Sequence, residues 1–434
     1  MTFHSKMIEN EDPVIAGSLW TATAHRGTHF PALQGSETAD VCVVGAGFTG
    51  LSAALHLALS GQRVVVVDAQ TPGWGASGRN GGQVNPGLIE NPDVISEHYG
   101  RIQGHKAVQA SGNAGQRVFD LIKDHGISCD AKPVGWVQAA HSAQGAAVLA
   151  DKLSAWARVG VGLDRLDGPE LHALMGSNAY VAGIRDPRGG NLHPLNYALG
   201  LADAAAAAGA LIFAHSPVVS MDADGVAVTL TTAQGSIAAG KVLICTNGYS
   251  GTWMPKVAQS VIPVRSVQVA TAPLGDTLAG SILPGGHAVS DTRSLLLYFR
   301  KGPDGRFIMG GRGAYGARGT QAAMDDLRSV SVEVFPQLAG QTWDFAWGGY
   351  IAATPDHFPR LMEVAPNVIA GLGYNGRGVA MATEMGVQLA RWAGGDVDLD
   401  FPITGPHRIA LHGLAKWGVT FEVVRRKLLD KLGR

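Results

Sequence analysis

Gly45-Ala46-Gly47-Phe48-Thr49-Gly50 fits G-x-G-x-x-G, and its neighbours supply the context in which that pattern carries a mechanism. The apolar run Ala39–Val44 before it reads as a strand. Leu51 to Leu59 recur at helical spacing until Gly61, and Val64–Val67 reads as a second strand, so the whole is a βαβ unit. Gly45 permits the tight turn, Gly47 lets the backbone approach a pyrophosphate, and Gly50 allows helix and strand to pack closely. The helix start supplies N–H donors and positive potential. Asp68 closes the second strand, where its carboxylate meets both hydroxyls of an adenosine ribose. A dinucleotide site follows. FAD and NAD remain open from these residues alone, while the 2′-phosphate of NADP would meet a like charge.

Beyond Asp68 and Ala69 the chain continues Gly73-Trp74-Gly75-Ala76-Ser77-Gly78-Arg79-Asn80-Gly81-Gly82-Gln83, a long glycine-rich stretch without apolar period. Helical patterns resume from about Pro92 to His125. Pro194–Ala208 reads as an Ala-rich helix before a strand at Ala210–Ala214, and Val226–Leu230 with Ser236–Ala238 reads as a hairpin. A strand at Lys241–Cys245 runs into Thr246-Asn247-Gly248. About ninety residues of short strand-like runs follow, and Val368–Gly371 then feeds Gly373-Tyr374-Asn375-Gly376-Arg377-Gly378 and a helix from Val379 to about Trp392.

This order of motifs, with Ser18–Ala22 upstream and Asn191-Leu192-His193-Pro194 in mid-chain, resembles the FAD-dependent superfamily of D-amino-acid, glycine and sarcosine oxidases. Within it the gamma-glutamylputrescine oxidoreductase branch is the nearest likeness. The resemblance implies an α/β fold in which a Rossmann-like, glutathione-reductase-type FAD domain (36–100, 194–250 and 347–402) interleaves with an α+β substrate domain on a mostly antiparallel sheet (101–193 and 251–346). Residues 1–35 form a docked arm and 403–434 a helical tail. It also implies that Ser77 to Gly82 pass beneath the diphosphate and flavin ring, where a side chain at Gly81 or Gly82 would collide. Thr246, Asn247, Gly248 and Val218 belong to the same cofactor site. Gly373 to Val379 would present a helix start to the pyrimidine edge, where negative charge develops on reduction. The chemistry implied is hydride transfer from the carbon bearing a neutral amine to flavin N5, giving an imine that hydrolyses to an aldehyde or keto product. Electrons then leave to O2, forming peroxide, or to a quinone or protein acceptor.

His193, Arg312 and Tyr374 are the candidates closest to the chemistry, although a histidine before a helix serves equally as a structural hydrogen-bonding group. Arg265, Arg300 and Arg312 are placed to bind a carboxylate or to set positive charge near N5. Trp253, Tyr298, Trp347, Tyr350 and Tyr374 build either an amine-binding wall or plain core. Cys42 and Cys245 lie on nucleotide-domain strands and no cysteine follows, so the FAD is expected to be non-covalent.

Composition narrows the remaining classes. A net charge of −1 with scattered basic residues gives no nucleic-acid footprint, so a small-molecule substrate is expected, and no metal. Length, at 434 residues, and 59 glycines fit two intimate domains rich in tight turns. Three cysteines point to a reducing compartment, and Glu9, Glu11 and Asp12 with no apolar run of about 20 residues point to the cytoplasm. The basic tail with Arg425, Arg426, Lys427, Lys431 and Arg434 reads as a solvated amphipathic helix. An NAD-linked dehydrogenase shares the βαβ unit but not the second glycine run, and a flavin monooxygenase lacks its second G-x-G-x-x-G unit here.

Overall fold

The computed structural model describes residues 18–431 apart from 26 and 316; residues 1–17 with Glu9, Glu11 and Asp12, the last three residues, and the side chains at 317, 416, 424 and 426–431 lie outside the described residues. Two sheets organise the chain. The first has nine strands among the described residues, with its path running Ile403–Thr404, Arg360–Ala365, Val368–Leu372, Gly235–Ile244, Gly35–Val44, Val64–Val67, Leu211–Phe213. Its centre is parallel: Val41 pairs with Val64, and Val43 with both Val66 and Leu243. Both faces of these strands are covered, so Val64–Val67 is apolar at every position rather than alternating. Strand order reverses beside Gly35–Val44, and the carboxyl ends there form the crevice where parallel sheets take ligands.

The second sheet has eight strands and runs Trp343–Ala353, Ile262–Thr271, Phe307–Arg312, Tyr298–Lys301, Ala288–Asp291, Trp136–Ala140, Ala182–Asp186, Asp164–Leu166. Every pairing in it is antiparallel except that of Ala288–Asp291 with Trp136–Ala140. One face carries Val137, Val267, Val269, Val289, Phe299 and Met309, and packs on the helix Ala317–Val334 and on Phe335. On the other face the register aligns Gln138, Ser290, Tyr298, Gly310, Gln268 and Trp347 in one row. That period of two separates a dry core face from a polar one turned to the first sheet.

Several boundaries differ from the sequence expectation. The helical stretch after Pro92 breaks at Gly100 (φ +79) into Pro92–Tyr99 and Arg101–Asp124. The longer helix lies against Gly378–Ala393, and its Ala107, Ala114, Val118 and Leu121 share a core with the fingerprint helix Phe48–Leu59. An expected division at residue 101 therefore falls between two helices packed on the first sheet's side. The division at 347 falls inside Trp343–Ala353, an edge strand of the second sheet. The hairpin strand Ser236–Ala238 and the strand Lys241–Cys245 are one strand, Gly235–Ile244, which pairs antiparallel with Val228–Thr232 at one end and parallel with Gly35–Val44 throughout. The arm docks by a short helix, Leu19–Thr23, capped by Ser18, with Leu19 and Trp20 buried against Leu195 and Trp347.

Candidate active site

A cavity of about 620 Å³ opens where the crevice of the first sheet faces the polar row of the second. At the first-sheet end Gly45 adopts φ +108, and a Cβ there would stand 2.9 Å from the Cys245 carbonyl. Gly47 caps the helix Phe48–Leu59, and a Cβ on it would meet Ser77 Oγ at 2.9 Å. Ser77 Oγ accepts the Phe48 N–H at 2.9 Å, which ties the second glycine stretch to the first. The Asp68 carboxylate accepts N–H bonds from Ala46 and Gln70, each at 2.7 Å, while burial pushes its carboxyl up.

Of the expected cofactor residues, Gly45, Gly47, Phe48, Thr49, Asp68, Ala69, Gly75, Ala76, Ser77, Arg79, Asn80, Gly81, Gln83, Val218, Thr246, Asn247, Tyr374, Asn375, Gly376, Arg377, Gly378 and Val379 line the cavity. Gly50, Gly82, Gly248 and Gly373 stand behind its wall. The glycines at 81 and 82 have a reason within the protein: a Cβ would lie 2.8 Å from the Tyr298 ring or 2.1 Å from the Leu192 carbonyl. Asn80 closes that turn by accepting the Gly82 N–H and donating to Ala76 and Ser77. Asn247 and Asn375, at φ +45 and +51, fasten the late loop: Asn247 accepts from Gly373, and Asn375 accepts from Thr354 N–H.

The candidates for chemistry and substrate separate into two groups. Trp253, Arg265, Tyr298, Arg312, Tyr350 and Tyr374 line the cavity; His193, Arg300 and Trp347 do not. Tyr374 donates to or accepts from Thr49 Oγ1 at 2.7 Å, and burial drives its phenol up, so it stays neutral. Tyr298 is pushed up to about 12 by burial and bonds Ser266 Oγ. Arg265 donates to Tyr350 at 3.1 Å. Trp347 donates to the Arg79 carbonyl, and buried Arg300 donates to Asn191 Oδ1 at 2.6 Å and the Leu192 carbonyl at 2.8 Å.

His193 caps the helix Pro194–Ala207 by accepting the Asn196 N–H at Nδ1, which puts its own hydrogen on Nε2 toward Thr23 Oγ1. Burial, with Arg300 beside it, lowers its pKa to about 3. The motif around residue 193 is thus a structural joint: Asn191 and Leu192 receive the arginine, and His193 starts the helix. A His193→Asn variant keeps a cap and is expected to reduce bound flavin at close to the parent rate, while His193→Ala loses about 0.5–2 kcal/mol of stability. Because folding depresses this pKa, the histidine's contribution is present above about pH 6.5 and is lost as pH falls toward 3. Urea melts across that range test it. A reduction rate cut many-fold in the Asn variant would return His193 to the chemistry.

Sequence reasoning did not find Trp136, Gln138, Ser290 and Arg293, which line the second-sheet end. The one local signal was the alternation Trp136-Val137-Gln138-Ala139, a polar side chain on an otherwise apolar strand.

The residues present fit a flavin dinucleotide. A helix start with glycine at its approach, a ribose-reaching carboxylate, and a buried, unpartnered Asn85 Oδ1 in the wall supply the donors and acceptors such a ligand needs. Fold and cavity together define a dinucleotide-binding flavoprotein. The sequence profile of the family described as FAD dependent oxidoreductase (DAO) matches residues 40–392, and the chain belongs to that family. It is similar to the probable oxidoreductase OrdL of Rhizobium meliloti (strain 1021), at 36% identity over 90% of this chain and 91% of that one. It is also similar to gamma-glutamylputrescine oxidoreductase of Escherichia coli (strain K12), at 35% identity over 88% and 89%. Among solved structures, glycine oxidase from Geobacillus kaustophilus shares the fold with a TM-score of 0.67 at 21% identity, covering 82% of this chain and 95% of that one. L-amino acid deaminase from Proteus vulgaris reaches 0.72 at 18% identity, covering 92% and 100%. The protein is an FAD-dependent oxidoreductase. Among the described residues no helix is long and apolar enough to cross a membrane.

Proposed function

We propose that this enzyme oxidises the carbon–nitrogen bond of an amine or amino acid in the cytoplasm, with a gamma-glutamylated amine as the leading substrate and O2 as acceptor. The supporting observation is a single cavity that runs from Asp68 at the first sheet to Gln138 and Ser290 on the second, so a bound dinucleotide at one end leaves space for a small molecule at the other. The names of the gamma-glutamylputrescine and glycine-oxidising relatives support a nitrogenous substrate. The free, buried thiols of Cys42, Cys129 and Cys245 agree with a reducing compartment.

When bound, FAD supplies a two-electron acceptor for the hydride leaving the carbon beside nitrogen. The chain supplies position. Asp68 would take the ribose hydroxyls, the start of Phe48–Leu59 would take the diphosphate, and the start of Gly378–Ala393 would present N–H groups where negative charge develops. Gln83 closes the seam between the sheets: its Nε2 donates to the carbonyls of Val289 and Phe299, and its Oε1 accepts from Ser290 and Trp136. Gln83 is itself buried, so the seam closes that wall of the cavity to water. Tyr298 and Tyr374, both buried phenols, hold their protons, so neither is the base for the substrate's ammonium, whose proton goes to solvent before the hydride leaves.

The test is the visible spectrum of the purified protein, recorded anaerobically while gamma-glutamylputrescine, other glutamylated amines, sarcosine and D-amino acids are added. Bleaching of the flavin bands by one class identifies the substrate. Rapid recolouring in air with peroxide marks an oxidase, whereas recolouring only on adding a quinone marks a dehydrogenase. A flavin that none of these amines bleaches would defeat the reading.

A further inference from the structure

The register of the second sheet sets Gln138 beside Ser290, and both line the cavity from that sheet, opposite the first-sheet strands that carry Asp68. Trp136, two residues earlier on the same face, carries a cation on each of two approaches: Arg377 Cζ lies 4.7 Å and Lys152 Nζ 5.3 Å from a ring centroid. Lys152 comes from the helix Ala143–Arg158, which packs across that strand, and is only 8% exposed. Its Nζ donates to Gln138 Oε1 at 3.1 Å. An ammonium has three donors and no acceptor, so it dictates which end of the amide faces it. The oxygen is turned to Lys152. The amide nitrogen is therefore turned away, and no acceptor among the described residues takes its hydrogens. Gln83 nearby is fixed in the opposite sense, with its nitrogen bonded to two carbonyls. Gln83 thus has no donor left for a ligand, whereas Gln138 has.

Charge agrees with that polarity. Arg79, Arg265, Arg293, Arg312 and Arg377 line the cavity, and the carboxylate that lines it is Asp68, at the other end. An amine entering here meets donors and cations, which favour a molecule that also carries an anionic oxygen.

We propose that Gln138, held in orientation by Lys152, binds a carboxylate of the substrate at the second-sheet end of the cavity, away from the bond that is oxidised. The proposal rests on reading the cavity as a flavin site joined to an amine site. Lys152 is a positioning residue; Gln138 makes the contact.

The lysine also gives the subsite a pH dependence. Burial, and then the charge of Arg377, lowers its pKa to about 7, with Asp186 opposing and Arg188 adding to the fall. These are the charged groups that face it, from the loop before Gly378–Ala393 and from the turn after Ala182–Asp186. A carboxylate bound beside it favours the protonated lysine. Affinity for the carboxylate is therefore highest below about pH 7 and weakens as pH rises through that value.

Calorimetric titration of the FAD-loaded enzyme with glutarate, which has no amine to oxidise, tests this directly, with glutaric diamide as the neutral control. Glutarate is expected to bind, more weakly on the alkaline side of pH 7, and the diamide to bind without that dependence. Gln138→Leu is expected to weaken glutarate by about tenfold to a hundredfold, the loss of a hydrogen bond to a charged group. Lys152→Met should lose a similar factor and flatten the pH profile, with Lys152→Arg restoring part of the affinity. Where a variant does not retain FAD, the parent's own pH profile decides. Failure of glutarate to bind the parent, a profile flat across pH 7, or equal affinity in folded Gln138→Leu overturns the proposal. If no amine bleaches the flavin but glutarate behaves as described, the function reading falls and the subsite stands.

Discussion

A Gly50→Ala variant is expected to purify nearly colourless and to melt several degrees below the parent. The added Cβ would stand 1.9 Å from the Gly45 carbonyl oxygen and 3.0 Å from Val43 Cγ1. Neither neighbour can retreat. Gly45 already turns the chain at φ +108, with the Cys245 carbonyl 2.9 Å from where a Cβ of its own would stand, and Val43 is fully buried between the strands Val64–Val67 and Gly235–Ile244. The helix Phe48–Leu59 would have to move outward, carrying with it the Phe48 N–H held by Ser77 and the helix start that meets the diphosphate. Overpacking typically costs about 1–3 kcal/mol, and more where backbone opposes backbone, so about 4 kcal/mol is a fair expectation here. Gly378→Ala is the control, because nothing stands within 4 Å of its Cβ position. That variant should melt with the parent, so any colour it loses comes from cofactor contact rather than packing. Flavin absorbance relative to protein, together with a thermal melt of each variant, makes the comparison; Gly50→Ala with full colour and parental stability would mean that the turn is looser than its geometry requires.

What sequence could tell about this protein follows from how far apart the cooperating residues lie along the chain. The fingerprint was legible because strand, turn, helix and acid fall within Ala39–Asp68, although only Gly50 is constrained from within that stretch, while Gly45 and Gly47 answer to Cys245 and Ser77. Asn80 acts locally, closing its turn on Ala76, Ser77 and Gly82. His193 shows the limit. Its place at the head of a helix was readable, but its role depends on Thr23 and Arg300, far away in sequence. The substrate end was hidden for a related reason. Gln138 meets Ser290 by strand pairing and Lys152 by helix packing, and no local pattern announces a parallel pair inside an otherwise antiparallel sheet. The division at 101 depends on distance too, since what assigns the helix Arg101–Asp124 to the first sheet's side is its contact with Gly378–Ala393, far along the chain.

That contact contains the second large effect. Glu384 sits midway along Gly378–Ala393 with its side chain wholly buried; its Oε2 accepts from Arg117 Nε at 2.5 Å and its Oε1 from Gln388 at 2.8 Å. Arg117→Met removes the cation but keeps the stem, leaving a carboxylate without its charged partner. Breaking a buried pair costs about 3–5 kcal/mol. Arg117 is 39% exposed, so water can reach its side of the pair, and about 2–3 kcal/mol is the better expectation. Glu384→Gln in the same background should recover most of that loss, because a neutral amide needs no cation and can still accept from Gln388. Urea denaturation of the two single variants and the double variant isolates the coupling. The consequence extends to the cofactor: the start of Gly378–Ala393 lines the cavity through Gly378, Val379 and Ala382, so a helix released from Arg101–Asp124 should hold FAD less tightly in the order of the stability losses. Equal melting of Arg117→Met and parent would mean that Gln388 alone satisfies the carboxylate, and the two helices would then be joined by apolar packing of Ala107, Ala114 and Val118 without help from the ion pair.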